Sequence, residues 1–117
     1  MTPDALRTLL REVRTIAVVG LSPRPERPSH AVARYLRRAG YRIVPVNPHH
    51  ARVLDEPSYP TLAAAAAAHA IDMVDVFRKS EAAGAVVDEA VALQPAPRLI
   101  WLQLGVVDAT AGARAAV

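Results

Sequence analysis

The sequence predicts an α/β protein: a doubly wound parallel sheet in a three-layer α/β/α arrangement, built as one domain over residues 1–117. Three observations predict it. Short apolar runs of strand length alternate with stretches whose apolar residues recur at helical spacing, a pattern that goes with parallel strands and right-handed crossovers. The runs are rich in Val and Ile and nearly free of interruption, as strands buried on both faces require. A chain of this length is enough for one hydrophobic core and too short for two.

The elements follow in order. Thr2-Pro3-Asp4 reads as a helix start, with Thr2 as N-cap, Pro3 in the first turn and an acid beside it. Leu6, Leu9, Leu10 and Val13 then form one apolar face. Ile16-Ala17-Val18-Val19 is the first strand, closed by Gly20. Three prolines keep residues 21–28 irregular. Ser29 is expected to cap a second helix, with Val32, Tyr35, Leu36 and Ala39 inward and Gly40 as its left-handed terminator. Residues 41–46 form the second strand, ending at Asn47-Pro48.

Residues 49–60 read as a loop, and the alanine run that follows Thr61 as a short helix. Residues 71–77 make the third strand. Ser80 is expected to cap a helix that turns Ala83, Val86, Val87, Ala90 and Val91 inward, with Pro95 and Pro97 ending the segment. Residues 98–104 are the fourth strand, closed by Gly105, and Asp108 opens a last helical piece.

Composition narrows the function classes. Aromatics are scarce, with one Trp, one Phe and three Tyr, so the core must be aliphatic. The formal charge is +3, carried by thirteen arginines and the single lysine, Lys79. These cations are interleaved with acids, and no basic run alternates with aromatics, which argues against nucleic acid. A modest positive excess suits a small anionic ligand. Without cysteine there is neither disulfide nor thiolate chemistry. The polar N-terminus resembles no signal peptide, and the apolar stretch at residues 63–68 is too short to span a bilayer. A soluble cytoplasmic protein is expected.

In open parallel sheets the ligand lies beyond the carboxyl ends of the strands, where the strand order reverses. That edge should carry Gly20, Asn47-Pro48, Phe77-Arg78 and Gln103 with Gly105. In the first loop, Gly20 removes the Cβ where backbone must approach a ligand. Ser22 brings a hydroxyl, Arg24 and Arg27 bring charged forks, and Ser29 opens a helix whose N–H groups face the loop. Together these make a phosphate site. The loop is not the dinucleotide fingerprint G-x-G-x-x-G, because Ser22 and Pro25 stand where its second and third glycines would be. The second strand also ends without the acid that would grip a ribose. Both departures argue against NAD.

Several segments of the chain resemble, in the same order, a known family: the small stand-alone CoA-binding domains of bacteria and archaea, the CoA-binding 2 or YccU-like proteins. They are Ala17-Val18-Val19-Gly20-Leu21-Ser22, Arg27-Pro28-Ser29-His30, Val44-Pro45-Val46-Asn47-Pro48, the segment Val74-Asp75-Val76-Phe77-Arg78-Lys79-Ser80, and Trp101-Leu102-Gln103-Leu104-Gly105-Val106. The resemblance implies a Rossmann-like domain similar to the CoA-binding domain of the succinyl-CoA synthetase α subunit. It implies that Gly20, Ser22, Arg27, Ser29 and His30 meet phosphates, and that Val46, Asn47 and Pro48 flank the adenosine. Phe77 and Arg78 would form another wall, with Gln103 and Gly105 near the pantetheine arm. Family members continue past the position of Val117 into a further strand that includes a cysteine, so that strand is expected to be missing here, leaving an unpaired edge beside residues 98–104.

No catalytic constellation is legible. His49-His50 has no acid at helical spacing, so no metal site is expected. His30 stands at a helix N-terminus, where the dipole disfavours its charged form. Asp75 reads either as a buried polar anchor or as an outward group. The reading is a non-catalytic module that binds coenzyme A or an acyl-CoA, acting as carrier, sensor or partner subunit, alone or as a homo-oligomer. The alternatives are a small NAD(P)-dependent enzyme and a subunit of an acyl-CoA synthetase.

Overall fold

The computed structural model describes residues 2–103. The first helix, α1 (Pro3–Glu12), is capped by the Thr2 hydroxyl, which accepts the Ala5 N–H at 3.1 Å. Strand β1 (Thr15–Val19) leads to helix α2 (Pro28–Arg38) and strand β2 (Arg42–Val46). Two short strands, β3 (Arg52–Val53) and β4 (Glu56–Pro57), precede helix α3 (Leu62–Ala68). Strand β5 (Met73–Val76), helix α4 (Ser80–Val91) and strand β6 (Leu99–Leu102) complete the described order.

The main sheet has the order β2-β1-β5-β6, and every pairing in it is parallel. Ile16 and Val18 of β1 lie level with Ile43 and Pro45 of β2, and with Met73 and Asp75 of β5. This row faces one apolar cluster, which takes in Val13 after α1 and Ala33 of α2. Ala17, Val19, Val44, Val46, Val74 and Val76 face the other, with Leu62 and Ala65 of α3 and Ala83 and Ala90 of α4. Two helices therefore cover each face, as the doubly wound Rossmann-like arrangement requires. The order reverses between β1 and β5, so the crevice lies between Gly20 and Phe77.

The amino ends of the strands are tied by Asp72. Its Oδ2 accepts the N–H groups of Arg14 and Thr15, both at 2.9 Å. Among the described residues β2 lies at one edge of the sheet, which explains Pro45: a proline in a central strand would break the ladder. Its carbonyl accepts the Tyr59 N–H at 3.0 Å. No helix among the described residues is long and apolar enough to cross a membrane.

Several expectations are corrected. Residues 49–60 are not simply loop, because β3 and β4 pair antiparallel around Leu54-Asp55. Both turn residues have positive φ, 54° and 61°, the left-handed pair that a two-residue hairpin requires. Ser29 is not the cap of α2. Arg27 holds that position because the residue before a proline is driven to extended backbone, and its φ of −81° and ψ of 142° agree. For α4 the cap position falls to Lys79.

Two helix faces also differ from expectation. The inner face of α2 is carried by Ser29, His30 and Ala33, with Leu36 packed against the same cluster as expected, whereas Tyr35 is 71% exposed. In α4, Ala83 and Ala90 are buried but Val91 is 59% exposed. Strand β6 is shorter than residues 98–104. Leu104, Gly105, Asp108 and the final strand expected to be missing lie outside the described residues.

Candidate functional site at the carboxyl ends of the strands

The loop between β1 and α2 turns inward on itself. The Ser22 N–H donates to the buried Ser29 hydroxyl at 3.0 Å, and the Arg24 N–H donates to the Ser22 hydroxyl at 3.1 Å. The backbone donors at 22 and 24 are therefore already used. At the start of α2, Pro28 has no N–H, and those of His30 and Ala31 both go to the Arg27 carbonyl. That leaves the Ser29 N–H as the free first-turn donor among the described residues, fewer than a helix start ordinarily offers. Arg24 is held by Glu26 at 3.2 Å, an exposed ion pair that an incoming anion would have to displace. Arg27 makes no ion pair or side-chain hydrogen bond with any described residue, so its guanidinium is the cation this loop presents.

Gly20 has a stronger reason than ligand approach. Its φ is +87°, and a Cβ built on it would stand 2.2 Å from the Phe77 carbonyl oxygen. The Gly20 N–H donates to the Val46 carbonyl at 2.9 Å, and the Phe77 N–H to the Val19 carbonyl at 2.8 Å. Three strand ends thus converge on one glycine, and the reversal point closes to backbone contact.

Asn47 joins the first and second loops. Its buried side-chain amide donates to the Leu21 carbonyl at 2.9 Å, and its Oδ1 accepts the His49 N–H at 2.9 Å. Asn47 therefore shapes the rim. Val46 turns its side chain into the core beside α3 and α4 and meets the rim with backbone alone. Pro48 is exposed, while Phe77 and Arg78 are half-buried at the end of β5. The Gln103 N–H continues the ladder to the Val76 carbonyl at 2.9 Å. Of the expected site residues, Gly20, Ser22, Arg24, Arg27, Ser29, His30, Val46, Asn47 and Phe77 are joined by such contacts; Gly105 lies outside the described residues.

Two buried polar atoms lie unpartnered among the described residues: His30 Nδ1 and Asp75 Oδ1. His30 sits in the first turn of α2, one helical turn before Ala33, and so faces the sheet below the loop. Asp75 is fully buried in β5, level with Val18 of β1 and Trp101 of β6. Burial pushes its carboxyl up to about 7, against a weaker opposing hydrogen bond from the Gln103 side chain. Sequence reasoning left Asp75 open between anchor and outward group. The signal was there in outline, since it is the only charged residue within an apolar central strand. No group of three or more Asp, Glu or His among the described residues is placed to hold a metal ion.

A model of the CoA binding domain family matches residues 14–117. An uncharacterized protein of Bacillus subtilis, YneT, is 38% identical over 103 residues, covering 88% of this chain and 73% of that one. Among solved structures, a hypothetical protein from Pyrococcus horikoshii superposes with a TM-score of 0.80 at 30% identity, covering all of this chain and 82% of its own. A Thermus thermophilus protein matches with a TM-score of 0.75 at 37% identity, over 88% of this chain and 75% of that one.

Proposed function

The chain belongs to the CoA-binding domain family, and on that premise we propose that it binds coenzyme A, or an acyl-CoA, across the carboxyl ends of β2, β1 and β5. The observation that carries this reading is Arg27. It is a guanidinium without a described partner, beside the free Ser29 N–H, at the reversal point of a doubly wound sheet. CoA brings several phosphate charges, and charge-assisted hydrogen bonds from Arg are the strong ones. Arg78, half-buried just after β5, would supply a second cation from the other side of the crevice. His30 below the loop has an Nδ1 that a ligand or an ordered water would satisfy. Asn47 and Pro48 flank the nucleoside end, and Gln103 the pantetheine arm.

The domain acts as a carrier, sensor or partner module and performs no chemistry alone. An NAD(P) enzyme has less support, because β2 ends in an asparagine whose amide is already bound to the rim, where a ribose would need an acid. A native homo-oligomer and a separate partner subunit both remain compatible with the exposed rim.

Calorimetric titration of CoA and of NAD into the wild type and Arg27→Ala tests the reading. The wild type should bind CoA and ignore NAD. Arg27→Ala should bind CoA roughly tenfold or more weakly, as losing a hydrogen bond to a charged group implies. Its melting temperature should stay unchanged, since Arg27 is exposed. Unaltered CoA binding in Arg27→Ala would refute the assignment.

A further inference from the structure

A cavity lies on the outer flank of β2, between that strand, β4 and the end of α3. It measures about 220 Å³ and is lined by Arg42, Ile43, Val44, Glu56, Pro57, Tyr59 and His69. That is below the ~300–1,000 Å³ of sites for drug-sized molecules, so its occupant is the size of a small metabolite.

The polar groups around it are organised. His69, at the end of α3, is bridged on both ring nitrogens: Nε2 lies 3.1 Å from the Tyr59 hydroxyl and Nδ1 3.5 Å from Arg42 Nη1. Arginine can only donate, so in the tautomer whose Nδ1 accepts this contact the ring proton is on Nε2. Nε2–H then donates to the Tyr59 oxygen, which leaves the Tyr59 hydroxyl proton to donate elsewhere. The two rings meet edge to face, with centroids 5.7 Å apart at 83°, which holds the phenol in place.

The strand edge adds a donor and an acceptor. Arg42 N–H donates to Arg14 and the Val46 carbonyl accepts from Gly20, so residues 42, 44 and 46 turn their backbone groups toward β1. Ile43 and Pro45 turn theirs outward. Tyr59 takes the Pro45 carbonyl, and the N–H and C=O of Ile43 have no partner among the described residues. Arg42 and Glu56 line the same cavity yet form no ion pair with each other or with any other described residue. The cavity therefore offers a guanidinium and a phenol proton, together with a carboxylate and a carbonyl.

We propose that this cavity is a second binding site, for a small zwitterion of the α-amino-acid class, its carboxylate held by Arg42 and Tyr59 and its ammonium by Glu56 and the Ile43 carbonyl. A dianion is disfavoured by Glu56, and a simple amine by Arg42. Only a ligand with both charges satisfies both walls. The site is separate from the CoA crevice and independent of that reading.

The probes are the proteinogenic L-α-amino acids, titrated singly at millimolar concentration, together with their des-amino carboxylates. The readout is the backbone amide spectrum of the full chain. At least one amino acid should shift the amides of Ile43, Val44, Glu56 and His69 saturably, while those of residues 20–30 stay still. Arg42→Ala should weaken that binding roughly tenfold or more. Glu56→Gln should weaken the amino acid but not its des-amino carboxylate. CoA binding should be the same in both variants, so failure at one site is distinguishable from failure at the other. The proposal is overturned if no amino acid shifts these amides. It is equally overturned if Arg42→Ala binds unchanged, or if removing the amine costs nothing.

Discussion

Gly20→Ala should leave too little stability for the chain to fold. The new Cβ would stand 2.2 Å from a backbone oxygen, that of Phe77, which has no flexible side chain to move aside. The φ of +87° adds a penalty of about 1–2 kcal/mol for a residue with a Cβ. Relieving the overlap means separating β1 from the end of β5, where Phe77 N–H is bound to Val19 and Gly20 N–H to Val46. Losses above ~4 kcal/mol are expected of such a site and are comparable with the whole stability of a small domain. Gly40 is the internal control. It also has positive φ, +106°, but nothing lies within 4 Å of the added Cβ, so Gly40→Ala should cost only about 1–2 kcal/mol. Denaturant titration of the two variants separates the clash from the backbone term. Equal losses would mean that the Gly20–Phe77 approach is unimportant.

Asp75→Asn should flatten the dependence of stability on pH. The folded-state value of about 7 lies above the ordinary 3.8, so the native protein holds a proton that the unfolded chain releases. The stability this proton brings is fully present below about pH 4 and is lost as the pH rises through about 7. The gap corresponds to a loss on the order of 4 kcal/mol. Asparagine fills the same space without a charge, so the variant should be the more stable protein above pH 7. Unfolding both proteins across pH 4–9 isolates Asp75, because every other carboxylate is common to the two. Parallel curves would show that the carboxyl has a partner, such as a buried ion or water, that keeps it ionised at no cost.

The two predictions concern residues that sequence reasoning read unequally well. Gly20 was legible because a glycine that ends an apolar strand in an α/β pattern has few purposes. A further reason was not legible, the close approach of Phe77, 57 positions later in the chain. Asp75 was visible but not orientable, because one charged residue in a strand points to either face until the sheet order is known.

The alternation of strands and helices carried the fold, and Thr2, Pro3 and Gly40 marked their boundaries as expected. The β3–β4 hairpin was hidden because its turn is Leu54-Asp55, without the Asn or Gly that such a turn prefers. Its left-handed backbone is held from outside, by Arg37 donating to the Leu54 carbonyl at 2.7 Å. The inner face of α2 was only partly legible: Leu36 packs inward as expected, but a small residue and two polar ones make the buried contacts while the larger Tyr35 faces out. Arg24 and Arg27 look alike in the sequence. Only the folded loop separates them, pairing one with Glu26 and leaving the other without a partner among the described residues. The Asn47 staple and the His69 bridge depend on residues brought together from distant segments, and no local pattern announces either.

The most direct test of the account is a CoA titration followed in the backbone amide spectrum of the full chain. The account predicts saturable shifts at residues 20–30, at Asn47 and at Phe77-Arg78, with the flank of β2 at Ile43 and Val44 unmoved. CoA that leaves the first loop unperturbed, or that shifts only amides away from the carboxyl ends of β1, β2 and β5, would contradict it.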